Sequence, residues 1–175
     1  TAVTVSGDAV TGDKLQAKAT GADGADATSV TYQWQVSSDK DQYTDIKDAT
    51  DASFTIPDTT EYVGKTIRVK ASGEADSSAV SDATAAIVKS DALKVAEAKE
   101  ALKLTQYEKI TEALKIDLPA KGSNDTDITW SSSNASVISA DGQVTLPAKG
   151  IAAVTLTATV KSGEKSDTKE FTFNV

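Results

Sequence analysis

The sequence contains no cysteine and no histidine among its 175 residues. Without cysteine the chain has no disulfides and no zinc–thiolate sites, so its stability must come from packing and hydrogen bonds. Without either residue, Ser-His-Asp catalysis, Cys-His catalysis and most transition-metal sites lack the side chains they require. Carboxylates, hydroxyls and lysines remain, and we predict that the chain is not an enzyme.

Long apolar runs and clustered basic residues are also missing. No segment has the apolar length of a signal peptide or a membrane span, and Thr1 in place of an initiator methionine leads us to expect a piece of a larger precursor. The formal net charge is −8, and Arg68 is the only arginine. Because nucleic-acid binding requires clustered lysine and arginine, we expect no nucleic-acid partner. Because no apolar run is long enough, we expect no membrane span.

Apolar and polar residues alternate with a period of two in the first half, which predicts β-strands with one buried face. The apolar positions are Leu15, Ala17 and Ala19; Val30, Tyr32, Trp34 and Val36; Phe54 and Ile56; and Ile67, Val69 and Ala71. Turn-forming residues separate the runs, for example at 21–26 and 37–42. Short strands at this spacing favour a β-sandwich, so residues 1–88 are predicted to form a first domain.

The pattern changes after this predicted domain. Residues 90–103 are rich in alanine, lysine, glutamate and leucine, and they predict a short helix with Asp91 as its N-cap. Residues 105–108 match a capping box, which extends the helical prediction towards Leu114, while 113–118 fit a strand as well. The helical part would either form a rigid spacer or pack on the following domain.

Alternation returns from Leu118 and predicts a second sandwich, so residues 89–175 would comprise a helical connector and a second domain. Its apolar positions are Ile128 and Trp130; Val137 and Ile138; Val144 and Leu146; Val154, Leu156, Ala158 and Val160; and Phe171, Phe173 and Val175. Asp141-Gly142 predicts a tight hairpin turn, because glycine accepts the positive φ of such turns. The predicted fold class is all-β.

An internal repeat supports this division into two domains. Each half has one tryptophan followed by two further blocks in the same order. The matching blocks are 31–35 and 128–131, 54–57 and 143–147, and 69–74 and 160–164. Repeats of this kind are typical of extended proteins in which each module has its own core.

The second half, over 93–175, resembles the atrophied bacterial immunoglobulin-like domains. The residues that carry this resemblance are Leu118-Pro119, Ile128-Thr129-Trp130-Ser131-Ser132-Ser133-Asn134, Val137-Ile138-Ser139, Asp141-Gly142-Gln143-Val144-Thr145 and Val154-Thr155-Leu156-Thr157-Ala158-Thr159. The first half, over about residues 3–88, resembles the immunoglobulin-like modules of bacterial surface-layer and cell-wall proteins. The residues that carry it include Tyr32-Gln33-Trp34-Gln35 and Tyr62-Val63-Gly64-Lys65-Thr66-Ile67-Arg68-Val69.

The resemblances imply two tandem immunoglobulin-like β-sandwiches joined by a short helical connector. They also imply a secreted, extracellular structural protein of a Gram-positive-type cell wall, in particular a surface-layer (S-layer) protein that self-assembles into a lattice with calcium. Its partners would be copies of itself in the lattice, and a cell-wall polymer bound through regions outside these residues. The alternative is an adhesin stalk, or a carbohydrate-binding accessory region of a secreted cell-wall protein or enzyme.

Two tryptophans are the first candidates for functional residues. Trp34 and Trp130 each lie in register with inward-facing apolar residues, so we interpret both as core residues of their domains. The alternative is that an exposed indole stacks on a sugar ring.

Acidic loops are the second candidates, because calcium prefers carboxylate and carbonyl oxygens. The favoured calcium ligands are Asp39, Asp41 and Asp45, and the other clusters are Asp23 with Asp26 and Asn124 with Asp125 and Asp127. None of them has the spacing of an EF-hand loop. Asx turns at solvated loops explain the same enrichment in Asp and Asn without a metal.

Overall fold

The computed structural model describes residues 2–73, 77–104 and 109–175. Compact units are formed by Thr1–Ser90 and Asp91–Val175, and the predicted boundary after residue 88 lies two residues earlier. The described residues are mostly β-structure in antiparallel sheets, with one α-helix, as the alternation predicted. The predicted capping box at 105–108 lies outside the described residues.

In the first unit, the described residues form two antiparallel sheets. Its strands are β1 (Ala2–Ser6), β2 (Lys14–Thr20), β3 (Thr31–Ser37), β4 (Thr44–Asp45), β5 (Ser53–Thr55), β6 (Thr66–Ser72) and β7 (Ser78–Val80). One sheet has the order β1-β2-β5 and the other the order β4-β3-β6-β7. A short 3-10 turn, Thr60–Tyr62, precedes β6.

The core of the first unit is filled by alternate residues of both sheets. Leu15, Ala17 and Ala19 of β2 are buried, and the residues between them are exposed. Trp34 of β3 and Val69 of β6 are fully buried in the same apolar cluster. Because buried side chains of the two sheets share one cluster, the sheets pack against each other through these faces.

The last residues of the first unit form backbone hydrogen bonds with β6 and with the segment around Val10. After β7, the chain continues along β6, and the N–H groups of Ser81, Thr84 and Ile87 donate to the carbonyls of Val69, Ile67 and Lys65. Val88 then forms a parallel bridge with Val10. The N–H of Thr11 donates to the Val88 carbonyl at 3.0 Å.

The described residues of the second unit form one antiparallel sheet, a helix and long connecting segments. Its elements are α1 (Asp91–Ala101), a 3-10 turn (Ser123–Asp125), β8 (Asp127–Ser132), β9 (Ala153–Ser162) and β10 (Lys165–Asn174). The sheet has the order β10-β9-β8. Its central strand, β9, pairs with β10 along all ten residues.

Two different structures cover the buried face of this sheet. At one end, Val154 and Leu156 of β9 contact the connecting segments in a cluster that includes Ile116, Ile138 and Val144. At the other end, Ala158 and Val160 of β9 and Ile128 of β8 contact Val95, Ala98 and Leu102 of the helical segment. The helix predicted at 90–103 therefore packs on the sheet of its own unit, and its apolar side is part of the core.

The helical prediction is wrong for the described part of the segment towards Leu114, and the strand alternative at 113–118 is met only by an isolated bridge, without a regular strand. The N–H of Ile110 donates to the Asn174 carbonyl at 3.2 Å, and the N–H of Val144 donates to the Leu114 carbonyl at 2.9 Å. Lys115 forms an antiparallel bridge with Gln143. A short apolar run does not distinguish a helix from a strand by periodicity, and here the segment pairs with distant partners.

The hairpin turn predicted at Asp141-Gly142 is confirmed. Ile138 and Val144 form an antiparallel bridge, and the Gly142 N–H donates to the Ser139 carbonyl at 3.0 Å. Gly142 has φ of +88°, and a Cβ at this position would collide with the carbonyl oxygen of Ile116. Both the backbone conformation and the close approach therefore require glycine.

Polar contacts also attach the helix to the strands. The Asp91 carboxylate accepts hydrogen bonds from the Ser162 hydroxyl at 2.7 Å and from Lys94 at 3.2 Å. Lys99 forms an ion pair with Asp167 at 2.6 Å. The hydrogen bond from Ser162 lowers the pKa of Asp91, and the hydrogen bond from Lys99 lowers the pKa of Asp167.

Replacement of Trp34 tests how much the first unit depends on this side chain. We expect Trp34→Ala to lower the free energy of unfolding by about 3–5 kcal/mol, because it leaves a large cavity in a core that has no cross-link. Urea denaturation monitored by NMR of β2 amides measures the change. Val80→Ala, at a side chain that is 48% exposed, is the control. A Trp34→Ala loss no larger than the control loss would contradict the core role.

The acidic contacts of α1 predict a pH dependence in the second unit. Both pKa values lie below the ordinary value of 3.8 in the folded state, so the two carboxylates stabilise the fold above that pH. This contribution is lost as the pH falls through the folded-state values. We expect Asp91→Asn/Asp167→Asn to flatten the decrease in stability between about pH 5 and about pH 2, measured by denaturation with NMR of β9 amides. Glu164→Gln, at an exposed carboxylate, should leave the decrease unchanged.

Candidate functional site

The favoured calcium ligands lie in and after the loop that follows β3. One oxygen of Asp39 accepts hydrogen bonds from the Ser37 hydroxyl at 2.9 Å and from the N–H groups of Asp41 and Gln42 at 2.9 and 2.8 Å. The bonds from Gln42 and Asp41 lower the pKa of Asp39. Asp39 therefore stabilises the loop backbone, as in an Asx turn.

Asp45 has a different environment from Asp39. It lies in β4, and its carboxylate accepts a hydrogen bond from the Gln35 amide at 2.7 Å. In the described parts of the chain, no group of three or more acidic side chains is arranged to hold a metal ion. The calcium site at Asp39, Asp41 and Asp45 stays a prediction.

The other acidic clusters also have local partners. Asp26 pairs with Lys18 at 2.8 Å, and Asp23 accepts a hydrogen bond from the N–H of Ala25 at 3.1 Å. In the second unit, Lys121 pairs with Asp127 at 2.8 Å and with Asp125 at 3.4 Å. Asn124 donates to Glu97 at 2.7 Å. A cation at this last cluster would compete with the ammonium group of Lys121.

The two tryptophans differ in burial but have the same polar contact. Trp34 is fully buried, and its indole N–H donates to the Asp51 carbonyl at 2.9 Å. Trp130 is half-buried between the two apolar clusters of its unit, and its indole N–H donates to the Pro119 carbonyl at 2.9 Å. A fully buried indole has no open face for a sugar, so the stacking alternative does not fit Trp34.

A second cluster of functional groups lies on the outward face of the β4-β3-β6-β7 sheet. We call Gln35, Tyr43, Asp45 and Arg68 the Arg68 cluster. Arg68 stacks on the ring of Tyr43, with 3.9 Å between the guanidinium carbon and the ring centroid. Its Nε donates to Gln35 at 2.9 Å, and Gln35 donates to Asp45. The Tyr43 hydroxyl is hydrogen-bonded to the buried Thr66 at 2.9 Å.

These contacts fix the position of a normally mobile side chain. The tyrosine ring covers one face of the Arg68 guanidinium, and Gln35 occupies its Nε edge. Among the described residues, no carboxylate forms an ion pair with Arg68. Its remaining N–H donors are arranged in the planar fork that suits a carboxylate. Sequence reasoning missed this cluster; its only signal was the single arginine at an outward-facing position of a strand.

The comparison with protein families concerns the second unit. Residues 95–175 match the family model of the atrophied bacterial Ig domain. The match supports a bacterial Ig-like domain in this part of the chain. It includes most of α1 and all of the sheet formed by β8, β9 and β10. No curated protein matches the sequence.

A bacterial Ig-like domain is typical of structural or surface modules. Such domains often occur in surface or extracellular proteins, and their families are generally non-catalytic. The described residues include no helix of the length and apolar character needed to cross a membrane.

Replacement of Asp39 separates loop stabilisation from calcium binding. Loop stabilisation alone predicts that Asp39→Ala lowers the melting temperature equally in EDTA and in calcium chloride, because the change removes an acceptor for backbone N–H groups in both solutions. If the loop binds calcium, the wild-type chain gains binding energy only in calcium. Thermal denaturation by circular dichroism measures the difference. A larger effect of Asp39→Ala in calcium would identify the loop as a metal site, and Asp8→Ala serves as the control.

Proposed function

We propose that the chain is a pair of tandem immunoglobulin-like β-sandwiches that serve as structural modules of a bacterial S-layer protein. In this proposal the modules contribute to self-assembly of the lattice. The lattice is extracellular and forms the surface layer of the cell wall. The observation that carries it is the family match, which covers a unit with its own apolar core. The first unit has a core of the same kind around Trp34.

Corresponding features in the two units support the tandem arrangement. In each unit the tryptophan strand pairs antiparallel with a strand of alternating buried residues, with Trp34 opposite Val69 and Trp130 opposite Ala158. Each indole N–H donates to a backbone carbonyl of a connecting segment. Each indole also packs near a phenylalanine, with ring centroids 5.9 Å apart for Trp34 and 5.8 Å apart for Trp130.

A parallel pairing closes both units in a similar way. In the first unit, Val10 bridges Val88 in parallel, and in the second, Lys109 bridges Asn174 in parallel. In both, an early segment of the unit pairs with its last segment. This shared pairing supports the proposal that the two units are modules of one kind, each with its own core.

A structural role also agrees with how the polar groups are used. The acidic side chains described above stabilise loops, pair with nearby lysines or, as Asp45 does, accept a hydrogen bond from a neighbouring amide. The apolar side chains are mostly enclosed in the two cores. The chemistry of the surface therefore suits contacts with neighbouring molecules better than turnover of a substrate.

Electron microscopy of the complete protein that contains these modules tests the proposal. We expect ordered two-dimensional sheets with wild-type protein, and we expect deletion of residues 1–175 to disrupt their order, because neighbouring molecules lose contact surfaces. Deletion of an equally long segment elsewhere, outside the proposed regions that bind the cell-wall polymer, is the control. A protein that stays monomeric and is retained by insoluble glycan would instead support the carbohydrate-binding alternative.

A further inference from the structure

Three residues of the Arg68 cluster form a row across three neighbouring strands. Gln35 of β3 lies directly opposite Arg68 of β6 on one side and Asp45 of β4 on the other. Neighbouring strands are about 4.8 Å apart, so a cation, an amide and an anion follow one another at that interval. Hydrogen bonds from Arg68 to Gln35 and from Gln35 to Asp45 connect the row.

Both ends of the row have capacity for a further partner. Asp45 is exposed, and one of its oxygens accepts the bond from Gln35. The second oxygen is thus available as an acceptor. At the other end, the fork of Arg68 is fixed by Tyr43 and Gln35, so little side-chain entropy is lost when it binds a carboxylate.

The row is complementary to itself under a two-fold rotation. The two-fold axis of this rotation runs parallel to β3 and lies just above Gln35. Rotation about this axis brings a second copy face to face with the first and places Arg68 of each copy over Asp45 of the other. The two glutamines then face each other at the centre. Isologous interfaces require such a patch, in which the same residues meet in both directions.

The order of opposite charges along the row, and not the net charge of the chain, favours a second copy as the occupant of this face. The chain has 26 acidic and 18 basic residues, so two copies repel each other at long range. At about 0.15 M salt the screening length is about 8 Å, which weakens the long-range repulsion much more than a direct contact pair. A purely anionic glycan would satisfy Arg68 but would be repelled by Asp45 at the other end of the row.

We propose that the outward face of the β4-β3-β6-β7 sheet is a contact between two copies of this chain, formed by reciprocal pairing of Arg68 with Asp45. The inference rests on the proposed function, for which it supplies one lattice contact.

Charge reversal on the 175-residue chain tests this contact, with sedimentation equilibrium as the measurement. We expect the wild type to dimerise reversibly, and Arg68→Asp or Asp45→Arg alone to weaken dimerisation at least tenfold, because like charges then face each other. An equimolar mixture of the two single variants should dimerise again, since opposite charges meet at both ends of the row. The double variant should also dimerise with itself.

Matched variants control for the charge change and for folding. Lys14→Asp reverses an exposed charge on the other sheet of the unit and should leave dimerisation unchanged. Thermal denaturation checks that each variant is folded. Because Asp45 is exposed, Asp45→Arg still tests the contact if loss of the stack on Tyr43 unfolds Arg68→Asp.

Three results would overturn the inference. They are a wild-type chain that is monomeric at about 1 mM, a dimer insensitive to both single reversals, and two single variants that fail to associate when mixed. Binding of polyglucuronate that is lost in Arg68→Gln, without dimerisation, would assign the face to a glycan instead. Each of these results leaves the S-layer proposal standing if the complete protein still forms ordered sheets, since other faces would then supply the contacts.

Discussion

Burial of every second side chain along paired strands is the constraint on which both units depend. The chain has no disulfide to hold its segments together, so the strands must be held by packing and by the backbone ladder. In the first unit β2 and β6 contribute to one core around Trp34, and in the second β9 buries four side chains in succession on one face. A one-residue shift of any of these strands would turn its apolar residues outward.

The two units meet this constraint with different amounts of regular structure. In the first, a second sheet covers the buried face of the β4-β3-β6-β7 sheet. In the second, α1 and connecting segments cover a single three-stranded sheet. The helix that the sequence predicted as a connector thus covers part of the sheet in the second unit. In the first unit a second sheet has this role. A unit whose face is closed in this way can keep an Ig-like arrangement with few regular strands.

Polar side chains outside the cores mainly fix local geometry. Asp39 orders a loop, Asp91 and Asp167 hold α1, and Lys121 bridges two aspartates. The Arg68 cluster differs, since its internal contacts fix a guanidinium whose remaining donors point to no carboxylate of the described residues. This difference is why the cluster, rather than the acidic loops, supports an inference about a partner.

Local patterns in the sequence determined the alternation of β2, β3, β6, β8 and β9, the Gly142 turn and the burial of Trp34, because alternation and turn chemistry act between residues close in the chain. Only the tertiary structure decided that the residues after 108 pair as extended chain, that α1 closes the second core, and how strands align. Asp45, Gln35 and Arg68 form a row only because β4 and β6 pair with β3 in one particular register. The sequence specifies which face each residue prefers, whereas pairing between distant strands depends on the packing of the whole unit.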